Sequence, residues 1–254
     1  MYNDLFTIGP FTAHTYGLFY AIGIISAFFV TEKRGKKLGI DISHLEPMAI
    51  FFVITGFIGA KLLYCITRFQ EVLQDPAILF DLGNGWVVYG GILGGLLGGY
   101  LYCKKYHLNF LEQVDLIIPS VALAQGFGRL GCFFAGCCYG VETHLPIGLV
   151  FPEGSLAPAG IPLFPTQLIS SAFDFLLFFV LIWLVKEKKN TFHGEVGLWY
   201  LFAYSIGRFI IEYFRGDLVR GGIGSFSTSQ IISLLLFASA LILWFILKKR
   251  EKRD

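Results

Sequence analysis

Arg208, Glu212 and Arg215 stand at positions i, i+4 and i+7 of one apolar block. A helix through them carries all three on one face, with Tyr204 one turn earlier. A charge at hydrocarbon depth costs about 2.5–3.5 kcal/mol on insertion scales, so such residues face a partner or a cavity. An Arg208–Glu212 pair alone would only hold helices together. Two arginines sharing one glutamate leave at least one guanidinium for an outside anion. Lys61 and Arg129 are further isolated cations in apolar surroundings. These four basic groups face one obvious buried acid, Glu212, while Asp174 lies deeper and is able to neutralise one of them. A cationic cavity with apolar walls suits a ligand with a negative head group and greasy tails. Arginine's planar fork matches phosphate, and lysine adds a point charge. A phospholipid answers that description.

Three other groups of residues have chemistry to offer. His14 and Tyr16 stand where the first apolar block begins; they are either ordinary interfacial residues or handlers of a proton at head-group level. Tyr89-Gly90-Gly91 opens a block that continues through Gly94, Gly95, Gly98 and Gly99. Glycines four apart let a neighbouring backbone approach closely, which puts Tyr89 near a tightly packed junction. The glycine-rich stretch around Gly128, Arg129 and Gly131 carries Cys132, Cys137 and Cys138. These thiols are small packing residues, a redox or disulfide pair such as Cys132–Cys137, or metal ligands. Three thiols without a nearby histidine are an incomplete structural zinc set, which ranks metal last; no metal and no cofactor are expected. Cys65 and Cys103 lie inside apolar blocks and pack as small hydrophobes.

The elements that must position these groups are membrane spans. Of 254 residues, 55% are hydrophobic and 15% charged, and the mean hydropathy is +0.66. A soluble domain carries about 25% charged residues, with its apolar positions broken into stripes. The composition excludes soluble, disordered and disulfide-scaffold classes. Blocks near the ~20 residues that a spanning helix needs are Tyr16–Val30, Pro47–Thr67, Trp86–Cys103, Asp115–Phe127, Thr166–Val185, Val196–Phe214 and Thr228–Leu247. The fold class is therefore an all-α polytopic integral membrane protein of about seven transmembrane helices. Basic clusters at Lys33–Lys37, Lys104–Lys105, Lys186–Lys189 and Lys248–Arg253 follow spans one, three, five and seven. The positive-inside rule then puts the N-terminus outside and the C-terminus in the cytoplasm, and the clusters need no nucleic-acid partner. No cleavable signal peptide is expected in Met1–Thr15. Residues 1–254 form a single transmembrane domain with an irregular outer-face segment at about 129–165, which holds five of the nine prolines.

Six motifs, in this order, resemble the prolipoprotein diacylglyceryl transferase family of bacterial inner-membrane enzymes. They are His14-Thr15-Tyr16-Gly17-Leu18, Gly59-Ala60-Lys61-Leu62-Leu63-Tyr64, Tyr89-Gly90-Gly91, Gly128-Arg129-Leu130-Gly131, Pro165-Thr166-Gln167-Leu168, and Gly207-Arg208 through Glu212 to Arg215. The resemblance implies a multi-pass protein of the cytoplasmic membrane. It implies transfer of the diacylglyceryl group of phosphatidylglycerol to the lipobox cysteine thiol of a preprolipoprotein, releasing glycerol phosphate. The implied partners are phosphatidylglycerol, the signal-peptide region of the preprolipoprotein and the lipid bilayer. Arg129 and Arg208 would grip the phosphate and polarise the breaking bond, and Glu212 would orient Arg208. His14, Tyr16 or Tyr89 would take the thiol proton, while Lys61, Tyr64, Gly128, Gly131, Gln167 and Arg215 would bind substrate. The chain departs from the family's usual pattern at Cys132, Ala135 and Cys137, where asparagines and a glutamate are common, and at Tyr89 and Phe164, where histidines are. The rival reading is a phospholipid-binding membrane thiol or redox protein on the same scaffold, working through Cys132, Cys137 and Cys138.

Overall fold

The computed structural model describes residues 4–8, 11–76, 78, 85–187, 192–217, 222–224 and 226–251. The basic residues Lys188, Lys189, Arg220, Lys252 and Arg253 lie outside them. Eight helices are present among the described residues: α1 (Thr15–Leu38), α2 (Leu45–Thr67), the short α3 (Phe69–Gln74), α4 (Val88–Lys105), α5 (Phe110–Ala135), α6 (Thr166–Glu187), α7 (Glu195–Glu212) and α8 (Thr228–Glu251). Each apolar block read from the sequence falls on one of the seven long helices. Five of these, α1, α2, α5, α6 and α8, are long and apolar enough to cross a membrane. The two others fall short for visible reasons. Glycines dilute the hydropathy of α4, which ends on Lys104 and Lys105, and α7 carries Glu195, Arg208 and Glu212. Large apolar side chains such as Phe57, Leu93, Trp183 and Phe245 point away from the protein interior, as a lipid-facing surface requires.

The chain divides into two compact units. Unit 2, residues 34–113, is built on a seam between α2 and α4. A Cβ on Gly59 would lie 2.8 Å from Gly94 Cα, and one on Gly90 would lie 2.6 Å from Leu63 Cβ. Only glycine lets these backbones come so close, so the glycine run is a packing device. His44 Nδ1 meets the Tyr102 hydroxyl at 3.1 Å, and Cys103 is buried against Met48.

Unit 1 comprises residues 1–33 and 114–254. Its core joins Ala122 of α5, Leu177, Phe178 and Leu181 of α6, and Val196 and Tyr200 of α7. A smaller cluster sets Phe192 and Leu198 on Ala240 of α8. Polar ties cross the apolar layer. Thr31 Oγ1 donates to Ser120 Oγ at 2.7 Å, Ser171 Oγ to the Gly126 carbonyl at 2.8 Å, and the Tyr200 hydroxyl to Gln125 Oε1 at 2.7 Å. The Asp115 carboxylate accepts the amides of Gly194 (2.7 Å) and Gly197 (3.0 Å), and so caps α7 from α5. A carboxylate there meets the positive end of the helix dipole and satisfies amides that have no partner within the helix.

Two features depart from the sequence reading. Helix α5 keeps Pro119 in its interior and runs on to Ala135, so the irregular segment starts at Gly136, not near Arg129. Glycines do not break it because neighbours fill the space beside them: a Cβ on Gly126 would lie 2.7 Å from the Phe175 ring. The structure also adds three two-stranded ladders to the helices. These are β1 (Asp4–Ile8) with β2 (Phe11–His14), β3 (Leu149–Val150) with β4 (Pro162–Leu163), and β5 (Gly222–Ile223) with β6 (Phe226–Ser227), all antiparallel. They precede or join helices, and a helical period does not announce strands of two to five residues.

Candidate active site

A cavity of about 220 Å³ in unit 1 is lined by α5, α6 and α7. Its polar groups are Arg129, Ser170, Asp174, Tyr204 and Arg208; Phe173, Ile169, Ile210 and Ile211 supply apolar wall. Arg208 is on the face that the sequence spacing defined, and Gly207 beside it leaves room for the Phe173 ring, 2.5 Å from where a Cβ would be. The Arg208 guanidinium lies 2.8 Å from Glu212 Oε2 and donates to Ser229 Oγ at 3.0 Å. Glu212 Oε1 accepts from Ser227 Oγ at 2.9 Å, while Oε2 accepts no hydrogen bond among the described residues, so it holds Arg208 by charge. Glu212 is 4% exposed at its side chain and stands behind Arg208, outside the cavity lining.

Arg215 is occupied elsewhere. Its fork grips Asp217, with Nε to Oδ1 at 2.8 Å and Nη2 to Oδ2 at 2.5 Å, and its Nε is 4.0 Å from Glu212. Burial works against its charge, but the Asp217 bond more than offsets this and raises its pKa above the ordinary arginine value. The sharing of one glutamate by two arginines is thus relieved by a second acid two residues on. Arg129 is the contrasting case. Among the described residues no hydrogen bond or ion pair engages its guanidinium, although Tyr204, Asp174, Cys132 and Cys138 are within electrostatic reach. The half-buried guanidinium in the wall of this cavity is therefore available to an anion from outside. Asp174 is buried, within reach of both Arg129 and Arg208, and makes no hydrogen bond among the described residues.

Other candidates from the sequence fall around this cavity or apart from it. Gly131 gives room to Tyr16, whose ring and carbonyl lie 3.2 Å from where a Cβ would be, and Gly128 faces the Tyr20 ring at 3.5 Å. Both glycines serve helix packing. Tyr16 lies against Tyr20 and within reach of Cys132, whereas His14 is exposed at the end of β2. Gln167 is fully buried and donates Nε2 to the Cys137 carbonyl at 2.9 Å, and Thr166 Oγ1 binds the Cys138 carbonyl at 2.7 Å. The Pro-Thr-Gln motif thus anchors the cysteine turn to the start of α6. Lys61, Tyr64 and Tyr89 belong to unit 2. Lys61 Nζ lies over the Trp86 ring at 5.2 Å and the Tyr64 ring at 5.6 Å, Tyr64 packs on Gly85, and Tyr89 is exposed in the first turn of α4.

The five cysteines are not disulfide-bonded, so of the alternatives that the sequence left open a Cys132–Cys137 bridge is not the one formed here. The Cys137 thiol instead donates to the Cys132 carbonyl at 3.7 Å, and the three sulfurs lie within 4.8 Å of one another. The neighbouring Cys132 and Cys137 thiols, with Arg215 and Arg129 nearby, pull the Cys138 thiol below the usual thiol range, whereas the Cys132 and Cys138 thiols and burial push Cys137 above it. Sequence reasoning passed over Ser227, Ser229 and Asp217. Asp217 was open to discovery, as the nearest acid to Arg215. The serines were not, because nothing local says that the start of α8 meets α7. Tyr204 and Asp174 were visible as polar residues at membrane depth.

The family model described as Prolipoprotein diacylglyceryl transferase matches residues 3–246. Curated relatives agree along the same length. A phosphatidylglycerol–prolipoprotein diacylglyceryl transferase of Clostridium tetani is 46% identical over 248 residues, covering 98% of both chains. A second, from Clostridium perfringens, is 46% identical over 95% of this chain and 93% of its own. One from Thermotoga maritima is 32% identical over 98% of this chain and 85% of its own.

Proposed function

The chain belongs to the prolipoprotein diacylglyceryl transferase family, and from that premise we propose that it transfers diacylglyceryl from phosphatidylglycerol to the lipobox cysteine of a preprolipoprotein. The observation that carries the reading is the cavity whose apolar walls Arg208 shares with Arg129, which no hydrogen bond or ion pair engages among the described residues. Phosphate binds between the two guanidiniums and the acyl chains run along the apolar side. The acceptor sulfur attacks the glyceryl carbon that bears the phosphate oxygen. A C–S bond forms, the C–O bond breaks, and the electron pair leaves with glycerol phosphate. Negative charge grows on that leaving group, where fixed cations lower the barrier most.

Glu212 holds Arg208 in place, and Ser227 and Ser229 hold that pair against α8. Asp174 takes the thiol proton: among the described residues it is the carboxylate in the cavity lining, and the exposed His14 is not in that lining. The protein is a multi-pass component of the bacterial cytoplasmic membrane with seven spans. Basic residues in the last turns of α1, α4 and α8 support a cytoplasmic placement of those ends and an outward N-terminus. The test is reconstitution of the purified protein with phosphatidylglycerol and a synthetic lipobox peptide, read by intact mass. A diacylglyceryl increment on the peptide cysteine is the expected result; an unmodified peptide with lipid-loaded protein would sink the reading.

A further inference from the structure

The turn that ends α5 brings three thiols together by backbone geometry. Gly136 takes a positive φ of 73°, its amide binds the Phe133 carbonyl (3.2 Å), and the Cys137 amide binds the Cys132 carbonyl (3.1 Å). This is a Schellman cap, whose flanking side chains ordinarily make an apolar contact. Here the two positions brought into contact are Cys132 and Cys137. Cys138 then adopts a φ of 61°, a left-handed conformation that costs a non-glycine residue about 1–2 kcal/mol. The result is that the sulfurs of Cys132, Cys137 and Cys138 all lie within 4.8 Å of one another. The carbonyls of Cys137 and Cys138 are fixed by Gln167 and Thr166, so the turn is braced from outside as well.

We propose that Cys132, Cys137 and Cys138 form a binding site for a soft, thiophilic d10 metal ion of the Zn2+ or Cu+ class. Thiolate sulfur selects these ions over hard cations. With metal–sulfur bonds of about 2.3 Å, three ligands in one plane are separated by about 4.0 Å, so the sulfurs need contract only slightly. Three ligands are too few for a closed structural site but are the number that leaves one position open. Arg129 and Arg215, both within electrostatic reach of Cys138, offset the charge of the sulfurs. A bound ion ties the end of α5, one turn beyond Arg129, to the loop that α6 anchors, and so stiffens the turn independently of any transferase activity.

The experiment uses the full-length protein in detergent, reduced and stripped with chelator, titrated with Cd2+ as the probe. Expected are a thiolate-to-cadmium charge-transfer band that saturates at one equivalent and a rise in melting temperature. Each of Cys132→Ser, Cys137→Ser and Cys138→Ser should weaken binding more than about 100-fold, beyond the effect of outer-shell changes. The double variant Cys65→Ser/Cys103→Ser should bind as the parent does. Equal binding by the triple serine variant, dispensability of any one of the three thiols, or a Cys132–Cys137 disulfide in freshly isolated protein would each overturn the proposal.

Discussion

Glycine packs helices in both units, but what lies beside the glycines differs. Along α2 and α4, Gly59 meets the backbone of Gly90 and Gly94 directly, while Gly95 takes the Phe52 ring and Gly98 the Thr55 side chain; none of the buried residues of these two helices is charged. In unit 1 the glycines of α5 and α7 receive aromatic rings, Gly126 that of Phe175 and Gly207 that of Phe173. The Phe173 ring lines the cavity, and Arg208 lines it with Glu212 standing behind. Small residues serve helix contact in both units, and the second sets charged side chains beside a cavity.

If that contrast is right, substitutions in the two units should fail in different ways. The largest effect belongs to the cavity cations. Arg208→Ala or Arg129→Ala should lower transfer by about 10²–10³-fold, the loss typical of one donor to a developing anion, with an unchanged melting temperature for Arg129→Ala and a lower one for Arg208→Ala, which strips the buried Glu212 of its close partner. Asp174→Asn should follow, lowering kcat by about 10²-fold or more as a lost proton acceptor does. That loss should shrink as pH rises and the free thiolate of the acceptor becomes common, a profile to be measured with the synthetic peptide. Loss of lipid binding instead would make Asp174 a purely structural partner of the arginines. Gly59→Leu should act on the other unit: overpacking against Gly94 destabilises by about 1–3 kcal/mol, seen as a lower melting temperature with the activity per folded molecule kept. Smallest is Tyr200→Phe, which removes the bond to Gln125 and should reduce stability by about 0.5–1.5 kcal/mol in the same assay.

The sequence carried the helices well because lipid enforces long apolar runs, and every run was found. It carried the α7 face equally well, since i, i+4 spacing alone predicts the Arg208–Glu212 contact. What it missed depends on tertiary approach. Arg215 read as a ligand-binding cation because its partner, Asp217, follows beyond the end of α7 and is aligned only by the bend there. Gly128, Gly131 and Gln167 belong to quotable motifs, yet the first two make room for tyrosines and the third holds a carbonyl. A motif preserves a fold's joints as readily as its reacting groups, and spacing does not separate the two. The end of α5 was misjudged because glycine weakens helix propensity in isolation, while packed rings restore it in context.

The Asp115 cap on α7 bears on how the protein is made. The carboxylate is synthesised 79 and 82 residues before the amides of Gly194 and Gly197 that receive it. At about 5–20 residues per second, the ribosome needs roughly 4–16 s to supply those amides. Through that interval α5 carries a charged group whose eventual partners do not yet exist, so α5 settles fully only when α7 arrives. The order of synthesis and the order of completion differ, and one early helix stays provisional until a late one has formed beside it.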